Sequence, residues 1–75
     1  METTARQHLD WATERALECF DADDKMNTIA SFLSDVGKHQ GTAWIQIHPL
    51  TMPMLMTEYD NGRDAFKKYM LGFNV

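Results

Sequence analysis

Seventy-five residues at 8.7 kDa make one folding unit over 1–75 and leave no room for a second domain. A hydrophobic share of 44% beside 24% charged residues, with four Gly and two Pro, belongs to a chain that folds, which excludes a disordered protein. Eleven Asp and Glu against seven Lys and Arg give a net charge of −4, the wrong sign for binding by phosphate neutralisation, and no apolar run reaches the roughly 18 residues of a membrane span.

The first segment, from about Thr4 to Phe20, sets Ala5, Leu9, Ala12, Ala16 and Phe20 on one stripe at helical spacing, with Leu17 and Cys19 on its flanks. Gln7, Glu14 and Glu18 take the opposite face, and Trp11 sits among them, a large aromatic on a polar surface. The short acids of Asp21-Ala22-Asp23-Asp24 predict a turn, and Asp23 or Asp24 suits the N-cap of a second helix. In that helix Met26, Ile29, Ala30, Leu33, Val36 and Gly37 recur at steps of three and four, with Leu33 at the centre and Phe32 on the margin. Thr28, Ser31, Ser34, Asp35 and Lys38 fall on the other side. Lys38-His39-Gln40-Gly41 predicts its end, with Gly41 in the left-handed conformation.

Between Thr42 and Tyr59 the periodicity is mixed: Ile45 and Ile47 alternate as in a strand, whereas Trp44, Ile47, Leu50 and Met54 fit a helix. A lone strand would have nothing to pair with, so helix is favoured, broken near Pro49 and restarted with Thr51 as N-cap and Pro53 in the first turn. Asp60-Asn61-Gly62 is a turn in which Asn61 can cap. Phe66, Tyr69, Met70 and Phe73 form the apolar face of a last helix ended by Gly72. The expected fold is all-α, a small single-domain bundle of about four short helices whose third region is broken at Pro49 and Pro53.

Chemical signatures are sparse, so neither a catalytic nor a metal-ligating set is assigned and no cofactor is expected. His8, His39 and His48 lie in separate segments with no zinc-binding spacing between them or with Cys19. A calcium loop opening at Asp21 would need Gly where Met26 stands and an acid where Phe32 stands. Ser31 and Ser34 lie inside a helix without a glycine elbow, and the four glycines are isolated, which leaves no phosphate loop. A single cysteine and the absence of a leader pattern predict a cytoplasmic protein.

What remains is surface. Trp11 with Glu14, Glu18, Asp21, Asp23 and Asp24 forms a candidate binding face suited to a partner with a basic surface. Trp44, Ile45, Ile47, Leu50, Met52, Met54 and Met56 make the third region more apolar than one partial helix needs, which predicts self-association there, as a homodimer. The stretch from Ala30 to His39, Gly41-Thr42-Ala43 and the ending from Tyr69 to Asn74 resemble small accessory proteins of phages, prophages and mobile elements of Gram-positive bacteria. The resemblance implies an accessory phage or mobile-element protein and names no activity; with the acidic Trp11 face, the expected function is a non-enzymatic accessory protein that acts by protein–protein binding to a host or defence protein, in the manner of small anti-defence inhibitors. The alternative from the residues is a DNA-binding regulator that uses the last helix, where Arg63, Lys67 and Lys68 supply the only local excess of positive charge.

Overall fold

The structure, a computed structural model, describes residues 3–75 and is all-helical over them. Helix α1 runs Ala5–Asp21, α2 Lys25–Val36, α3 Ala43–Ile47, α4 Thr51–Asp60 and α5 Arg63–Leu71. The third region is therefore two helices, with His48, Pro49 and Leu50 between them. Pro49 forces the break because His48 before it is extended, at φ −67° and ψ 130°. Pro53 does not interrupt α4, since it occupies the first turn, where no intrahelical partner is lost. Residues 43–47 are helix and not strand, as the lack of a pairing partner requires.

The helix ends show which local signals act. Thr4 and Gln7 close a reciprocal capping box on α1: the Gln7 amide donates to Thr4 Oγ1 at 3.1 Å and the Thr4 amide to Gln7 Oε1 at 3.0 Å. Asp24 caps α2 by accepting from the Asn27 amide at 3.1 Å. Asp23 before it adopts φ 59°, a left-handed turn that a short acid tolerates. Thr51 does not cap α4; Leu50 is the cap, and the Thr51 hydroxyl is buried without a partner. Asn61 closes α4, and Gly62 at φ 106° begins α5, a conformation that favours glycine. Gly41 is not left-handed, and its value is space: a Cβ there would lie 2.6 Å from that of Ala5.

α1 packs along α2 and α5 and meets α4 through the Phe20 and Tyr59 rings, while α3 and α4 pack on α2 and each other and α4 also on α5. α2 is thus the central plank, with α1 on one side and α3 and α4 on the other. Leu9, Ala12, Ala16 and Leu17 of α1 meet Ile29, Phe32 and Val36 of α2, and Ile45, Leu55, Phe66 and Met70 complete the core. Two ring clusters close the ends. Phe20, Tyr59 and Phe66 join α1, α4 and α5, with centroids 4.5 to 5.6 Å apart. Phe73 meets Tyr69, Trp44 and Phe32 at 5.2, 5.8 and 6.3 Å, so the residues after α5 seal α2 and α3.

α2 differs from the expected face. Its buried residues are Thr28, Ile29, Phe32, Asp35 and Val36, whereas Met26 is 82% exposed, Ala30 is exposed and Leu33 is only partly covered. The helix is turned by about a quarter of a revolution at ~100° per residue. The turn puts the largest ring of α2 at the centre and leaves a flexible thioether outside. Thr28 is satisfied in the core by donating to the Asp24 carbonyl at 2.6 Å.

This rotation sets the stability order of neighbouring residues. Phe32→Ala is expected to cost about 3–5 kcal/mol, close to the whole stability of a small domain, and Leu33→Ala about 1 kcal/mol. Urea denaturation of the two variants checks the order; a larger loss for Leu33→Ala would return α2 to the face read from its periodicity.

Candidate functional site

The polar residue that the α2 rotation takes inside is Asp35, whose side chain is 2% exposed. A buried carboxylate is tolerated only when paired and hydrogen-bonded. Arg15 Nε from α1 meets Oδ2 at 2.8 Å, and Lys38 Nζ meets Oδ1 at 3.0 Å. His8 Nε2 lies 2.6 Å from the Asp35 backbone carbonyl, which can only accept, so Nε2 carries the proton. His39 is fixed in the same way: Nε2 donates to the Thr3 carbonyl at 2.7 Å and Nδ1 accepts from the Gly41 amide at 2.8 Å.

Trp11 covers this network from outside. Its ring centroid lies 5.1 Å from that of His8, 5.0 Å from the Arg15 guanidinium carbon and 6.0 Å from Lys38 Nζ. His8 also stands 5.1 Å from the His39 ring. The indole is 42% exposed, so it is neither core nor free: His8, Arg15 and Lys38 hold it in one orientation while a large part of its surface faces solvent. The helical spacing of His8, Trp11 and Arg15 carried half of this cluster; Asp35, Lys38 and His39 come from across the fold, with no local signal.

The acids expected beside Trp11 divide by role. Glu14 and Glu18 are exposed on α1 and Asp23 in the following turn, and none has an ion-pair partner among the described residues. Asp21 is engaged: Arg63 holds it through Nε at 2.8 Å and Nη2 at 3.2 Å, tying the end of α1 to the start of α5. The Arg63 hydrogen bond holds the Asp21 carboxyl below its ordinary 3.8 and raises Arg63 in turn. The pair therefore supports the fold at neutral pH and is lost as pH falls through the lowered value. Asp24 is spent on the α2 cap. With Arg63 committed, the last helix offers Lys67 and Lys68, of which Lys67 is half-buried.

The apolar third region is exposed as expected, in separate directions. Ile47 is 79% exposed and Leu50 62%. Met52 and Met56 of α4 face Met26, Ile29, Ala30 and Leu33 of α2 across a groove of about 450 Å³, with Lys25 at one end pairing with Asp60 at 2.9 Å. Trp44 is turned toward Phe73, and its indole N–H donates to the Gly41 carbonyl at 3.1 Å. Ile45 is fully buried, and Met54, two residues from either groove methionine, does not line the groove. Among the described residues no three His, Cys, Asp or Glu side chains converge on a point. Cys19 is half-buried beside Arg15, Ser31 and Asp35 in a shallow depression.

The Asp35 network predicts an asymmetry. Removing both cations, as Arg15→Met with Lys38→Met, leaves a buried charge uncompensated and should cost about 3–5 kcal/mol. Asp35→Asn leaves two half-exposed cations that water can solvate, and should cost about 1–2 kcal/mol. Chemical denaturation at neutral pH reads the order, and the reverse order would put the carboxylate in solvent.

No family model, curated protein or solved structure matches the chain.

Proposed function

We propose that this chain is a non-enzymatic protein-binding module of the accessory type, acting through the outer face of α1. The observation that carries the reading is Trp11, an exposed indole fixed by His8, Arg15 and Lys38 before any partner arrives. An aromatic anchor ordered in the free protein loses little conformational entropy on binding, which is what makes such residues dominate contact energetics. Glu14 and Glu18 follow it at three and seven residues along the same face. Arg15 and Lys38 share the one Asp35 carboxylate and leave a single positive charge, which Glu14 and Glu18 outweigh, so this face is acidic on balance and suits a basic partner surface. The resemblance to phage and mobile-element accessory proteins supports a host or defence protein as that partner, with inhibition by occlusion as the mode of action.

The test is capture from host lysate by the wild type, by Trp11→Ala and by the pair Glu14→Lys with Glu18→Lys, each with its thermal melt. A partner retained by the wild type should be lost with Trp11→Ala while stability changes by no more than about 1 kcal/mol. The charge-reversal pair should weaken capture, with the wild-type interaction falling as salt rises. Identical capture by all three proteins would remove the face from consideration.

A further inference from the structure

The distribution of charge along the chain separates two surfaces. No Asp, Glu, Lys or Arg occurs from residue 26 to 34 or from residue 39 to 57, so every formal charge lies outside these two stretches. The fold brings them together: the first is most of α2, the second contains α3 and most of α4, and both walls of the groove come from them. Of the acids without an ion-pair partner among the described residues, Glu14, Glu18 and Asp23 belong to α1 and its turn, Asp24 caps α2, Glu58 lies near the end of α4 and Asp64 begins α5, and none of them lines the groove. The net charge of −4 is therefore carried away from the groove face.

We propose that the groove between α2 and α4 is an interface for a second copy of this chain, packed about a two-fold axis. Loss of charge from the centre of a contact, with methionine enriched there, is the composition of protein interfaces, and the more apolar examples are homodimers. An acidic chain that associates with itself must keep like charges apart, and the one charge in this groove's lining is Lys25, which Asp60 pairs at 2.9 Å. The extent also fits. Met26, Met52 and Met56 of the groove together leave exposed the equivalent of about two large side chains. That is roughly 300–500 Å² before Ala30, Leu33 and the Lys25 stem are added, the size of a weak, reversible contact below about 600 Å² per partner. In a two-fold contact each copy offers both the protruding Met26 and the groove that receives it. Unbranched methionine adapts to such a fit without a rigid match of shape. The proposal does not depend on the Trp11 face.

Sedimentation equilibrium of the whole chain across about 1–200 μM decides it. The wild type should approach twice 8.7 kDa, with a dissociation constant that changes less than about threefold between low and high salt because the only charge lining the groove, Lys25, is already paired within its own chain. Met26→Lys and Met52→Lys, both at exposed helical positions, should raise that constant at least about tenfold with unchanged far-ultraviolet dichroism. Met54→Lys and Trp11→Ala should leave it unchanged. A monomer throughout the range would overturn the proposal, even if a foreign helix bound the groove. A dimer indifferent to both groove substitutions would also overturn it, by placing the contact elsewhere.

Discussion

The rotational setting of α2 about its own axis is the constraint on which the rest of the structure depends. α2 is the helix that both α1 and the α3–α4 pair use as a wall, so the residues it turns inward decide the core. Two apolar faces compete. One is Met26, Ala30 and Leu33; the other is Thr28, Phe32 and Val36 with Asp35 at its edge, and Ile29 serves both. The second face is inside although it carries a carboxylate. Phe32 supplies the larger packing volume, and Arg15 and Lys38 satisfy the charge from the rim without being buried themselves.

Both external surfaces follow from that one choice. With Asp35 inside, Arg15 and Lys38 are drawn to the α1–α2 seam, and there they flank the Trp11 ring. With Met26, Ala30 and Leu33 outside, α2 lends an apolar wall to α4, whose Met52 and Met56 complete the groove. The aromatic anchor and the groove therefore lie along different edges of the same helix, so one can be occupied without blocking the other.

Much of this was legible in the sequence, for reasons that differ by element. The all-helical fold, the Asp24 cap, the break at Pro49 and the Gly72 stop depend on backbone chemistry local to each position. The face of α1 was legible because its outer side is polar throughout except for Trp11. The face of α2 was not, since its apolar residues, from Phe32 round to Ala30, spread over about 160° at ~100° per residue and periodicity then cannot choose which edge turns inward. The carboxylate on the buried face is satisfied by Arg15, which lies on α1 and is distant in sequence from Phe32, and by Lys38, just past the end of α2. In the third region hydrophobicity predicted exposure only in sum. It could not say that Ile45 would be buried, that Trp44 would turn to Phe73, or that Met54 would leave the groove.

The most direct measurement of the central claim is a side-chain nuclear Overhauser map of α2 in dilute protein. The account predicts cross-peaks between the Phe32 and Phe73 rings, and none from the Met26 methyl to Leu9, Leu17 or Phe66. Cross-peaks from Met26 to those core residues, with Phe32 seeing only solvent-facing neighbours, would contradict it.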